Sequence, residues 1–126
     1  MSFRVLIVEH SNAAGQRLAD AVRSVSGVDA WITSTGFEAL KLLSRSRFDL
    51  IITSLRMPDL NGLEFVNFVK KNPCYRDVPV FIAAEEKSDG DRDRGLALGA
   101  AEYLLHPIQT PSLEALLRRY LHLQVA

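Results

Sequence analysis

The chain has 126 residues, 48% of them hydrophobic and 24% charged, which is the size and balance of one globular domain spanning 1–126 and excludes disordered and fibrous classes. Fifteen basic residues offset fifteen acidic ones, so no long-range field draws the chain to nucleic acid or to an anionic membrane. Its one cysteine, Cys74, excludes an internal disulfide, and the apolar run from Val5 to Val8 is too short for a signal peptide or membrane span, so a cytoplasmic location is expected.

Short apolar runs alternate with stretches in which apolar residues recur every three or four positions. Val5, Leu6, Ile7 and Val8 read as a buried parallel strand that ends at the acidic Glu9. A first helix follows on Leu18, Val22 and Val25, with Ser11 and Asn12 as candidate N-caps. Val28, Ala30 and Ile32 alternate with Asp29, Trp31 and Thr33, the pattern of an edge strand with one wet face. Phe37, Leu40 and Leu43 mark a second helix, and Leu50, Ile51 and Ile52 a buried third strand. Leu63, Val66 and Val69 share the face of a third helix that stops before Asn72 and Pro73, and Val80, Phe81 and Ile82 form a fourth strand. Gly90 and Gly95 predict a short or frayed fourth helix, since each is about 1 kcal/mol worse than alanine in a helix interior. Tyr103, Leu104 and Leu105 form the last strand, and Thr110 is expected to cap a helix opened by Pro111, with Leu113, Leu116, Leu117, Tyr120 and Leu121 inward. Five strand–helix pairs argue for a doubly wound parallel α/β sheet, in which ligands bind beyond the carboxyl ends of the strands.

At those ends stand Glu9 and His10, Ser54 to Pro58, Ala84 and Glu85, and His106 and Pro107. The segments Val5-Leu-Ile-Val-Glu-His, Asp49-Leu-Ile-Ile-Thr-Ser-Leu-Arg-Met-Pro-Asp-Leu-Asn-Gly-Leu-Glu, Pro79-Val-Phe-Ile-Ala-Ala and Gly99-Ala-Ala-Glu-Tyr-Leu-Leu-His-Pro resemble the receiver domains of two-component response regulators across essentially the whole chain. The resemblance implies a flavodoxin-like, CheY-like fold with strand order 2-1-3-4-5. It also implies a pocket with an acidic pair after the first strand, a phosphoryl-accepting aspartate after the third, a serine or threonine ending the fourth, and a lysine before the last proline.

Matched residue by residue, those positions hold Glu9 and His10, Ser54, Ala84 and His106, and only Glu9 keeps its charge type. The chain thus resembles a degenerate, pseudo-receiver member of the family. Magnesium requires hard oxygen ligands in octahedral array, so loss of its affinity is expected, with no cofactor in its place. A serine hydroxyl without an activating base is a weak nucleophile, and without metal or lysine the transferring oxygens lack charge stabilisation, so no catalytic activity is expected. Ala84 has no hydroxyl with which to sense a phosphoryl group. Ser54 reads as a small satisfied polar residue, the alternative being a regulator phosphorylated there with His10 as base.

Glu9, His10 and His106 converge at one rim, a set able to hold a metal but read first as structural or solvated. Arg56 is expected to pair with Glu9 and replace the lost positive charge. The His106–Pro107 step stands where the family has Lys-Pro, which implies a cis peptide.

A receiver that phosphate cannot switch still presents a surface, so the expected function is recognition of a signalling protein by a monomer or weak homodimer. The family's output face, made of the fourth helix, fifth strand and fifth helix, would carry Arg92, Arg94, Tyr103, Arg118, Arg119 and His122. Tyr103 is read either as an aromatic swung inward beside Ala84 or as an ordinary half-buried strand residue. Phe68 falls off the inner line of its helix and would mark a partner site only if joined to Phe65, while Trp31 and Cys74 read as ordinary surface or packing residues. The apolar end Leu123, Val125 and Ala126 leaves open a piece of a larger signalling protein whose output domain lies elsewhere.

Overall fold

The computed structural model describes residues 2–123, so Val125 and Ala126 lie outside the described residues. Strands β1 (Phe3–Val8), β2 (Val28–Thr33), β3 (Leu50–Ser54), β4 (Val80–Ala84) and β5 (Glu102–Leu105) alternate with helices α1 (Asn12–Arg23), α2 (Gly36–Arg45), α3 (Gly62–Lys71), α4 (Asp89–Leu98) and α5 (Thr110–Tyr120). All strand pairs are parallel, in the order β2-β1-β3-β4-β5, as the resemblance implies. Among the described residues no helix is long and apolar enough to cross a membrane.

Strand periodicity divides the core in two. Val5, Ile7, Leu50, Ile52, Phe81 and Ala83 point to one face, where Leu18 and Val22 of α1 and Leu113 and Leu117 of α5 cover them. Leu6, Val8, Ile51, Val80, Ile82 and Ala84 point to the other, beneath Ala39 and Leu43 of α2 and Phe65, Val66 and Val69 of α3. Every residue of β3 and β4 is buried, which is why both read as unbroken apolar runs ending in small residues.

Four local expectations change. The alternation in β2 holds through Trp31 and then reverses: Ile32 is exposed, whereas Thr33 turns inward and its hydroxyl donates to the Ile7 carbonyl at 3.4 Å. α4 is neither short nor frayed but ten residues long. Ser88 caps it, Asp89 and Asp91 complement the positive end of its dipole, and Gly95 is useful there because a Cβ would lie 2.7 Å from Ile82 Cδ1. The helix therefore packs by close backbone approach instead of by an apolar stripe. Thr110 is the first residue of α5, not its cap; Gln109 holds that position without a side-chain hydrogen bond, and Pro111 occupies the first turn. In α3, Phe65 is fully buried and Leu63 only partly so.

Candidate functional site

Strands β1, β3, β4 and β5 each deliver one or two side chains at or just past their carboxyl ends, and β2 contributes the Thr33 carbonyl. Glu9, 7% exposed, is held by its N–H donating to the Thr33 carbonyl at 2.9 Å and by its Oε2 accepting from the Ser11 N–H at 3.1 Å. Ser11 also caps α1 by accepting from the Ala14 N–H, so one residue fixes both the helix start and the carboxylate. Ser54, likewise 7% exposed, donates from its hydroxyl to the Arg56 carbonyl over a long 3.4 Å. Ala84 ends β4 in full burial, and its carbonyl accepts from the His106 N–H at 2.9 Å. The His106–Pro107 peptide bond is cis.

The turn from β3 into α3 is tightly specified. The Gly62 N–H donates to the Leu55 carbonyl at 2.7 Å, and a Cβ on Gly62 would lie 2.4 Å from the Ser54 carbonyl oxygen. Asn61 caps α3 by accepting from the Leu63 N–H at 2.7 Å. Asp59 accepts from the Gly36 and Phe37 N–H groups at 3.0 and 2.9 Å, so this turn also caps the neighbouring α2. Burial acts to raise the Asp59 pKa, but hydrogen bonds from the Phe37 and Gly36 amides outweigh it and hold the carboxyl below its ordinary value. A sequence reading had no local sign of this contact, because its partners lie more than twenty residues upstream.

Between these loops lies a cleft of about 240 Å³ whose lining includes Glu9, Ser54, Arg56, Ala84, Glu85 and Asp91. Arg56 reaches it but makes no ion pair with Glu9; the Glu9 carboxylate instead faces His106, with Oε1 3.9 Å from Nε2. The predicted Glu9–Arg56 pair does not form: the Ser11 N–H holds one oxygen of the carboxylate, and the other is turned toward His106. Arg56 acts instead at Tyr103, where burial and then Asp91 raise the phenol pKa and the guanidinium opposes them.

His10 does not join the cluster expected at this rim, since its side chain is exposed. Glu85 does: a carboxylate oxygen from each of Glu9 and Glu85 and one imidazole nitrogen of His106 all lie within 4.8 Å of one another. The His106 Nε2 atom is buried without a hydrogen-bond partner, a situation worth about 1–3 kcal/mol of destabilisation. The sequence placed Glu85 at the strand end but gave no ligand spacing that would have linked it to residues so distant in the chain.

The predicted partner face is only partly continuous. On α4, Arg92 pairs with Asp93 at 3.6 Å and Arg94 with Asp91 at 3.0 Å. Tyr103 is half-buried, and its hydroxyl donates to the Glu86 carbonyl at 3.4 Å, tying β5 to the loop after β4. Arg118 and Arg119 lie on α5, the latter with its guanidinium 5.5 Å from the Tyr120 ring centre. His122 lies beyond that helix in a shallow depression with Phe3, Asp49, Asp77 and Pro79, at the amino ends of the strands and away from the cleft. Phe68 is 52% exposed and Phe65 buried, so the two do not form a joint patch. Trp31 is a surface packing residue, with the Arg4 guanidinium 4.4 Å from its ring centre, and Cys74 is exposed.

Comparison with known proteins agrees with this architecture. Residues 5–118 match the response regulator receiver domain as a family. The polar-differentiation response regulator DivK of Brucella anthropi is 31% identical over 117 residues, covering 93% of this chain and 94% of DivK. The probable transcriptional regulator ycf29 of Pyropia yezoensis is 31% identical over 107 residues, covering 85% of this chain and 48% of the relative, so the chain spans about half the length of that protein. The solved structure of chemotaxis response regulator CheY4 of Vibrio cholerae superposes with a TM-score of 0.87 at 29% identity, covering 95% of this chain and 99% of that one. With strand order, strand-end loops and family match in agreement, the chain belongs to the response regulator receiver domains, the CheY-like modules of two-component signalling.

Proposed function

We propose that this receiver is a protein-interaction module of a signalling pathway that works without aspartyl phosphorylation. The observation that carries the reading is Ser54 at the end of β3, a near-buried hydroxyl bonded to its own loop at the position of the family's phosphoryl acceptor. A neutral hydroxyl with no base in contact is a poor nucleophile. The magnesium the family implies does not fit the residues present: its three ligand positions offer the Glu9 carboxylate, the exposed imidazole of His10 and the Ser54 hydroxyl. Magnesium takes near-ideal octahedral oxygen coordination and parts reluctantly with water, so one carboxylate holds it weakly. Ala84 supplies no hydroxyl to follow a phosphoryl group, and His106 replaces the lysine that would clamp it.

On this reading the domain is not an enzyme, and its output is contact with another signalling protein through α4, β5 and α5. Tyr103 supports that choice, because it joins the face to the loop bordering the cleft. The balanced charge supports a protein partner over nucleic acid or membrane, and the reading takes the domain as a cytoplasmic monomer or weak homodimer. Because ycf29 is about twice as long as the matched region, we include the variant in which this domain regulates a longer protein.

The test is incubation with acetyl phosphate and magnesium, read by intact mass and by NMR of Tyr103. The expected outcome is no gain of about 80 Da and no shift at Tyr103. A stoichiometric gain accompanied by that shift would overturn the reading.

A further inference from the structure

We propose that Glu9, Glu85 and His106 form a site for a borderline divalent cation, zinc matching best, with a further coordination position open to water or an anionic ligand. The donor set is two carboxylates and one imidazole, which suits zinc, whereas an imidazole is a poor ligand for magnesium. The three donor atoms lie within 4.8 Å of one another, and Glu9 Oε1 is 3.9 Å from His106 Nε2. A tetrahedral site with bonds of about 2.1 Å needs donors about 3.4 Å apart, so Glu9 and His106 have to close only slightly from 3.9 Å. The larger adjustment falls on Glu85, whose exposed side chain is free to swing.

Two further observations point to a ligand. His106 Nε2 is buried without a hydrogen-bond partner, and a metal would satisfy it. The cleft wall also carries four carboxylates, Glu9, Glu85, Glu86 and Asp91, against the single guanidinium of Arg56, an excess that favours a cation even with Asp91 paired to Arg94. Bound metal would tie together the loops after β1, β4 and β5. The inference rests on the proposed loss of magnesium chemistry only in its choice of cation.

The experiment uses the 126-residue chain stripped with chelator, titrated with zinc by calorimetry and with cobalt by visible absorption. One equivalent of each should bind, cobalt showing the intense band of a four-coordinate site, and His106→Gln or Glu85→Gln should each weaken zinc by about tenfold or more. A triple variant of the other candidate ligands, His10→Ala, Cys74→Ser and His122→Ala, should bind zinc as the parent does. Circular dichroism establishes folding, and Glu85→Gln, on an exposed side chain, serves if the His106 variant is unstable. Absence of binding, binding retained in both ligand variants, or binding lost in the triple variant would overturn the proposal. Tight magnesium binding, measured in parallel, would instead count against the proposed function, so the two failures are distinguishable.

Discussion

The turn after β3 and the end of β4 border the same cleft, with His106 at the end of β5 close to its Glu9 and Glu85, yet turn and rim meet opposite demands. In the turn, Asp59, Asn61 and Gly62 each satisfy backbone amides or make room for a backbone oxygen, and all their partners are main-chain atoms. At the rim, Ala84 and His106 are joined by a backbone bond, while one side chain is a methyl group packed in the core and the other an imidazole with a buried, unpartnered nitrogen. The contrast shows that the receiver architecture is secured by main-chain bonding and apolar packing, so the chemical residues of the pocket can change without loss of the fold. It also locates function in the few side chains the fold does not need.

Substitutions should separate the two regions, with the largest effect at Gly62. Gly62→Ala places a Cβ 2.4 Å from the Ser54 oxygen and 2.9 Å from Leu55 Cα, both backbone atoms, so the turn itself must move. We expect a loss of about 3 kcal/mol in urea unfolding. A loss below about 1 kcal/mol would mean that the turn is looser than described.

At the rim the sign should reverse. His106→Leu removes a buried polar atom that has no partner, so in the presence of chelator the variant should be as stable as the parent or up to about 1 kcal/mol more stable by thermal melting. Clear destabilisation would show that the imidazole makes a structural contact.

The smallest effect is at Asp59, a surface side chain whose removal should reduce stability by less than about 1 kcal/mol at neutral pH. Its folded pKa lies below the ordinary carboxylate value, so its contribution is present above that value and fades as pH falls through the folded one. Asp59→Asn should therefore flatten the acid side of the stability profile without altering the alkaline side.

Strands and core were readable from the sequence because Val5–Val8, Leu50–Ile52 and Val80–Ile82 are buried on both faces and leave an unbroken apolar record. α4 was harder, since its packing depends on what Gly95 lacks and not on an apolar stripe. Ser54, Ala84 and His106 were singled out because each stands at a strand end that the family motif marks, whereas Glu85 entered the cluster, and Arg56 failed to pair with Glu9, through side-chain directions that no spacing rule encodes. His122 was grouped with α5 by its spacing, which does not tell that the chain beyond the helix brings it beside Phe3 and Pro79 at the amino ends of the strands.

The central claim, that the pocket lost its chemistry at several positions together, is most directly tested by restoring them in steps. Ser54→Asp alone and the combination His10→Asp, Ser54→Asp, Ala84→Thr and His106→Lys would be exposed to acetyl phosphate and magnesium and weighed intact. The single variant should stay at its starting mass, and the fourfold variant should gain about 80 Da. Stoichiometric phosphorylation of Ser54→Asp by itself would contradict the claim.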